Sequence, residues 1–286
     1  MIVRGDDLAQ SYELCKKLNR RHGKSYYYAS YLLPKSSRKH IHSIYGFCRY
    51  ADDIVDSFSP SSIGERQKAL SEFSNRFFAD LRLGVSDDPV LAAVVNTAMT
   101  YGIPTEFFER FLYSMSLDFT QSSYETFDEL YVYMDGSAAV VGEMTLPILQ
   151  ASSEAARIPA RNLGIAFQLT NFLRDIGEDL RRGRIYIPAQ DIESFAARSA
   201  FVNRSVTTEF VALMSFEIER TWAIYKESCQ GDVYLPKQSR ACVTGARSLY
   251  SGILTEIEKL NFDVFARRAT VAPWKKFATA ISTIRS

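Results

Sequence analysis

Proline and glycine punctuate this chain at the ends of helical segments, and that pattern leaves room for little besides an all-α fold. Asp88 precedes Pro89 and caps a segment running to Tyr101, where Gly102 stops it. Pro104 opens a second segment, Thr105 to Phe119, in which Phe107, Phe108, Phe111, Leu112 and Met115 recur at helical spacing. Thr126 and Glu129 form a capping-box pattern for a helix expected to run through Leu146. A long helix is expected over Ala155 to Arg182, ended by Gly183, with further helices over Thr208 to Glu227 and Gln238 to Leu260. Only Arg184-Ile185-Tyr186-Ile187-Pro188 reads as extended. Linkers, low-complexity tracts and fixed-period repeats are absent, so the expectation is one domain over residues 1–286, all-α, with long helices around a central cavity.

Composition narrows the function classes. An apolar share of 47% over 286 residues is ample for a core. A net charge of +1 gives no bulk electrostatic basis for binding nucleic acid. Cys15, Cys48, Cys229 and Cys242 are scattered, which suits reduced thiols in a cytoplasmic protein better than a disulfide frame or a zinc site. The N-terminus from Met1 to Asp7 lacks the apolar core of a signal peptide. The most apolar stretch, Ala138 to Leu149, is interrupted by Glu143 and Pro147 and is shorter than the roughly 20 residues of a bilayer span. It reads as a buried helix.

Two short acidic segments carry the chemistry. Asp52 and Asp56 stand four residues apart in one, Asp175 and Asp179 in the other, each within a predicted helix. Such pairs lie on one helix face about 5–6 Å apart at Cβ, where like charges repel. Divalent cations relieve that repulsion, because magnesium sits between carboxylate oxygens and the oxygens of a substrate phosphate. On the first helix the same face carries Tyr45 and Arg49, within reach of phosphate oxygens. Taken alone, this stripe is better read as a solvated acidic patch with an i,i+3 ion pair. The second stripe, Gln168, Asn171, Asp175 and Asp179, adds an amide oxygen one turn from a carboxylate and tilts the balance toward metal ligation. Arg174 and Glu178 flank it, and Arg181, Arg182 and Arg184 follow; the helix dipole accounts for Arg181 and Arg182 equally well.

The run from Asn171 through Asp179, continuing to Pro188, closely resembles the signature of the squalene/phytoene synthases. Tyr45 to Asp56 resembles the first aspartate motif of that family, and His22-Gly23-Lys24-Ser25-Tyr26 ahead of Leu32-Leu33-Pro34 resembles its N-terminal phosphate-contacting segment. The similarity extends from about Leu14 to Arg267-Arg268.

The resemblance implies an isoprenoid synthase fold and a magnesium-dependent prenyltransferase, with manganese as a substitute, that joins two prenyl diphosphates head to head. It implies Asp52, Asp56, Asn171, Asp175 and Asp179 as metal ligands. It assigns diphosphate or the reacting carbons to His22, Lys24, Ser25, Tyr45, Arg49, Gln168, Arg174 and Tyr250, and one of Arg267 and Arg268 to the phosphates. Tyr133 matches a tyrosine facing the cavity and Asp118 a polar residue near it, although an ordinary core tyrosine explains Tyr133 and Tyr250 as simply.

The chain departs from the family pattern at Asp135-Gly136-Ser137-Ala138-Ala139, where many relatives carry an aromatic and then a Val-Ala-Gly run. Gly136 is expected to mark a helix kink against the cavity. Small residues near the first motif, Ala29, Ser30, Ser43 and Gly46, suggest room for a twenty-carbon tail. With no hydrophobic anchor before Ser286, an NADPH-using squalene synthase is not expected. The reading is therefore phytoene synthesis from two geranylgeranyl diphosphates in a carotenoid route. Dehydrosqualene or presqualene synthesis from farnesyl diphosphate is the alternative.

The basic segment Arg267-Arg268, Trp274-Lys275-Lys276-Phe277 and Arg285 suits weak peripheral docking on an anionic membrane, though solubilising lysines on a surface helix are the simpler account. A cytoplasmic location is expected, with loose membrane association as the alternative, and no oligomeric state is specified. A catalytically silent scaffold of the same family would be expected to have lost members of the set Arg49, Asp52, Asp56, Asn171 and Asp175, all of which are present. A calcium-binding protein of the EF-hand type would need a loop pattern that is missing.

Overall fold

The structure, a computed structural model, describes residues 5–56 and 62–271, and through them the chain runs from helix to helix. α1 (Gly5–His22) and the short α2 (Lys24–Ser30) lead into α3 (Lys35–Val55), α4 (Ile63–Leu83), α5 (Leu91–Tyr101) and α6 (Thr105–Leu117). Next come α7 (Phe127–Met134), one wide π-helical turn (Asp135–Ala139), α8 (Val140–Thr145) and the long α9 (Arg157–Arg181). α10 (Ala189–Ser194), α11 (Arg198–Asn203), α12 (Thr208–Ser228) and α13 (Lys237–Lys259) complete the order. The extended run at 184–188 contributes only an isolated bridge between Ile185 and Ser123. No helix of the described residues is long and apolar enough to cross a membrane. The basic segment at Trp274–Phe277 and Arg285 lies outside the described residues.

Helix ends follow local chemistry closely. Pro34, Pro104, Pro188 and Pro236 stand immediately before α3, α6, α10 and α13, where a missing N–H costs nothing. Asp88 Oδ1 accepts from the amides of Val90 and Leu91 at the start of α5. Gly102 and Gly183 adopt left-handed backbone, φ 60° and 75°, at the ends of α5 and α9. Ser62 and Glu65 close a capping box on α4, each bonding the other's amide. The box expected on α7 is half formed: Thr126 Oγ1 accepts from the Glu129 amide, but the Glu129 carboxylate takes the amide of Glu125 instead of that of Thr126.

The helix expected to run unbroken from Thr126 through Leu146 is interrupted by the π-helical turn. Gly136 sits in that turn and faces α6, not the cavity. A Cβ there would lie 2.5 Å from the Arg110 carbonyl oxygen and 2.7 Å from Ser114 Cβ. The glycine thus lets the turn press on the α6 backbone, while Ser137 and Ala138 on its other side line the cavity. Asp135 pairs with Arg110 and Arg161, and the fully buried Glu143 accepts from Arg110, Arg157 and Arg161. Five charges so tie α6, α8 and α9 around the turn.

Two apolar clusters hold the helices that matter for the site. Phe47 of α3, wholly buried, meets Phe77 at 4.8 Å and Phe108 at 5.1 Å between ring centroids and locks α3 to α4 and α6. Leu173 and Ile176 of α9 pack with Phe210, Leu213, Leu254 and Ile257 of α12 and α13. Burying each such side chain contributes roughly 1.5–3 kcal/mol. α3 packs on α1 and α5, and α9 on α12, α13 and α8, which leaves one face of each for the space between them.

Candidate active site

That space is a cavity of about 550 Å³, polar at one end and apolar along the rest. Its polar end receives Tyr45, Arg49, Asp52 and Asp56 from the α3 side and Gln168, Asn171, Arg174, Asp175, Glu178 and Asp179 from α9. Asp56 lies one residue past the end of α3, but its amide still donates to the Asp52 carbonyl at 2.8 Å, so the i,i+4 register survives. Both sequence-derived stripes therefore face one cavity.

Arginines match most of the acids. Arg49 donates to Asp52 at 3.0 Å and also pairs with Asp53. Asp175 is held bidentately by Arg174, at 2.8 and 2.5 Å, and again by Arg268, at 2.7 and 2.9 Å. Arg182 and Arg184 reach from beyond α9 to Asp56, at 2.6 and 2.9 Å, and join the two motifs directly. Arg182 also donates to Glu178 at 3.0 Å. Arg182 and Arg184 are thus site residues, whereas Arg181 is exposed. Of the pair left open by the sequence, Arg268 lines the cavity; Arg267 is exposed and does not.

The electrostatics divide the acids into two groups. Burial works to raise the pKa of Asp175, but Arg174 and Arg268 outweigh it and hold the carboxyl below the usual range. Burial, reinforced by Asp56, pushes Asp52 up to about 7 against the pull of Arg49. Its side chain is 44% accessible, but the solvent that reaches it lies inside the cavity. Burial with the charges of Asp175 and Glu178 likewise pushes Asp179 up to about 7. Beside these acids, Asn171 Oδ1 is buried and lacks a hydrogen-bond partner among the described residues. A buried acceptor in that state costs about 1–3 kcal/mol. A hard cation fits this set: it would take the orphaned amide oxygen and neutralise the two carboxylates that now favour a proton. Among the described residues no group of three acidic, imidazole or thiolate side chains is placed to hold a metal unaided.

Beyond the acids the wall is aromatic and then aliphatic. Tyr250 stacks on Tyr26 at 4.7 Å and meets Phe167 at 4.6 Å. On the other side Phe172 stacks on Tyr186 at 4.0 Å with planes 9° apart, and the buried Tyr133 donates to Asp118 Oδ2 at 3.1 Å. Burial pushes Asp118 up to about 6, with Arg184 pulling it down. The sequence marks Tyr26 only as part of the His22–Tyr26 segment and assigns no role to Phe167, Phe172 or Tyr186, although Phe167 stands four residues before Asn171 on the same helix face. His22 lies in the wall; Lys24 and Ser25 do not, and Lys24 is exposed. Of the small residues near the first motif only Ala29 lines the cavity. Ser30 and Ser43 turn their hydroxyls to the carbonyls of Tyr27 and His40, and Gly46 lies against Cys15 of α1.

Comparison with known proteins places this geometry. Residues 19–275 match the sequence model of the squalene/phytoene synthase family. A 15-cis-phytoene synthase of Synechococcus elongatus is 32% identical over 95% of the chain and 92% of that protein. A phytoene synthase of Arthrospira platensis is 34% identical over 94% of the chain and 90% of that protein. The crystal structure of a dehydrosqualene synthase in complex with ligand superposes with a TM-score of 0.90 at 27% identity, covering 98% of this chain and 97% of that one.

Proposed function

The chain belongs to the squalene/phytoene synthase family, and from that premise we propose that it condenses two geranylgeranyl diphosphates head to head to phytoene, releasing both diphosphates. The observation that carries the reading is the opposition of the Asp52–Asp56 and Asn171–Asp175–Asp179 stripes across one cavity whose other end is apolar. Loss of diphosphate from the donor leaves an allylic cation, which the acceptor double bond attacks. Proton loss gives a cyclopropylcarbinyl diphosphate, and a second ionisation, rearrangement and proton loss give the linear product.

Magnesium, held by Asp52, Asp56, Asn171, Asp175 and Asp179, would supply charge neutralisation on the departing diphosphate. Arg49, Arg174 and Arg268 would grip its remaining oxygens, since a guanidinium matches phosphate geometry bidentately. The rings of Tyr26, Phe167 and Tyr250 on one side and of Tyr133, Phe172 and Tyr186 on the other would present their negative faces to the cation. The aliphatic wall would keep it from water.

The relatives named phytoene synthase favour the twenty-carbon substrate. The dehydrosqualene synthase superposition favours a second reading, the same chemistry on farnesyl diphosphate. Incubation with labelled geranylgeranyl or farnesyl diphosphate and magnesium, without NADPH, followed by organic extraction, tests both. A C40 hydrocarbon from the first substrate is expected; none from it would defeat the primary reading.

A further inference from the structure

A second cavity, of about 310 Å³, adjoins the first. Asp56, Asp118, Arg182 and Arg184 belong to both walls, so these four side chains form the partition between the two spaces. The outer space adds Arg66 of α4 and Phe119. Its charges do not balance. Asp56 already accepts from both Arg182 and Arg184, and Asp118 accepts from Tyr133. Arg66 donates to the Val55 carbonyl at 2.6 Å and lies over the Phe119 ring at 5.7 Å, yet it pairs with no carboxylate among the described residues. Its Nε–H is buried without an acceptor among the described residues. Three guanidiniums therefore border a space with two carboxylates, and one of them has a donor still to satisfy.

We propose that this outer compartment is a diphosphate-binding site, which takes the leaving group as it passes outward between Asp56 and the two arginines that hold it. The proposal rests on the prenyl-transfer reading for the source of its ligand. Diphosphate released at the polar end of the main cavity cannot leave along the apolar wall, because burying an unpaired polyanion there is prohibitive. Arg182 and Arg184 stand at the partition and can exchange a carboxylate for phosphate oxygens, while Arg66 supplies the first donor beyond it. Arg66 lies outside every motif that marked the main cavity, so the site extends the known set onto α4.

Titration calorimetry of inorganic diphosphate into the full chain in EDTA tests the assignment without turnover. The wild type is expected to bind. Arg66→Gln is expected to bind about tenfold more weakly, for the loss of one charge-assisted contact. Arg66→Met, whose chain still covers Phe119, should lose as much, and thermal melts establish that each variant is folded. Arg76→Gln, an exposed α4 arginine that lines neither cavity, should stay within about twofold of wild type. Undetectable binding to the wild type, unchanged affinity in both Arg66 variants, or an equal loss in Arg76→Gln would overturn the proposal. A phosphate headgroup is the other source of this chemistry: if the Arg66 variants lost binding to phosphatidylglycerol vesicles but kept free diphosphate, the site would be a lipid contact and the proposal wrong. Failure of hydrocarbon synthesis with intact diphosphate binding would count against the reaction and not against the site.

Discussion

Replacing Asp179 with asparagine is expected to stabilise the metal-free protein while abolishing turnover. Burial first, then the charges of Asp175 and Glu178, push this carboxyl from 3.8 to about 7. That displacement of roughly three units, at 1.36 kcal/mol each, puts an upper bound of about 4 kcal/mol on the cost of ionising it in the fold. The sign follows from proton counting. Between the unfolded value near 4 and the folded value near 7, the folded chain holds a proton that the unfolded chain has lost. Stability therefore falls as pH rises through that window, and the full cost is present above pH 7. Cavity water and repulsion shared with Asp175 and Glu178 leave about 1–2 kcal/mol for the variant to recover, or about 2–6 °C in Tm at pH 8. At pH 5 the advantage should shrink to less than half. Adding magnesium and diphosphate should reverse the order, since a ligand at 100 times its Kd adds about 2.7 kcal/mol to whichever protein binds it. Scanning fluorimetry at both pH values, in EDTA and then with ligand, reads all three effects. A variant no more stable than wild type at pH 8, or an advantage independent of pH, would refute the reasoning.

Asp52→Ala should lower hydrocarbon formation at least about 100-fold with little change in Tm, because its carboxylate is half accessible and, among the described residues, pairs with Arg49 alone; near-normal rates would remove it from the ligand set. Hydrocarbon formation in limiting magnesium should rise with pH through about 7, where Asp52 and Asp179 ionise, and the acid limb should move to lower pH as magnesium is raised; a flat profile from pH 6 to 8 would contradict it. Glu143→Gln leaves Arg110, Arg157 and Arg161 short of a buried counter-charge and should cost about 3 kcal/mol, at least about 6 °C in a thermal melt; an unchanged melt would mean the network holds nothing together.

What could be read in the sequence was local. Gly102, Gly183 and the prolines before α3, α6, α10 and α13 mark helix ends because backbone geometry acts at the residue itself. The stripes survived for the same reason: i,i+4 spacing puts Asp52 beside Asp56 and Asn171 beside Asp175 in any helix. What escaped depends on contacts across the chain. The π-helical turn at 135–139 has the pattern of an ordinary helix, and only the pressure of Gly136 on α6 distinguishes it. Arg182 and Arg184 reach Asp56 across 126 and 128 residues, a pairing that no periodicity encodes. The choice between Arg267 and Arg268 likewise turns on which of two neighbours beyond α13 meets Asp175.

These arginines also explain how like charges can be gathered at one end of a cavity without forcing it open. Asp56 has two guanidiniums and Asp175 has two, both bidentate, so each is more than matched. The pairs on Asp56 cross from the end of α9 to the end of α3 and hold the two motifs at a fixed separation. Asp52 shares its single arginine with Asp53, and the Asp179 carboxylate feels Arg182 and Arg184 through their charge, which does not outweigh its burial and acidic neighbours. Those are the two carboxyls pushed up to about 7, and the orphaned oxygen of Asn171 belongs to the same stripe as Asp179. The cation proposed above would therefore sit where the guanidiniums fall short, not where the acids are most numerous. By the same reasoning, Glu178→Gln, which removes a neighbouring negative charge and releases the Arg182 guanidinium now bonded to Glu178 to match Asp179, should bring the Asp179 carboxyl back down and weaken magnesium binding together. A variant that retained tight magnesium binding with Asp179 so matched would show that the mismatch has no part in metal capture.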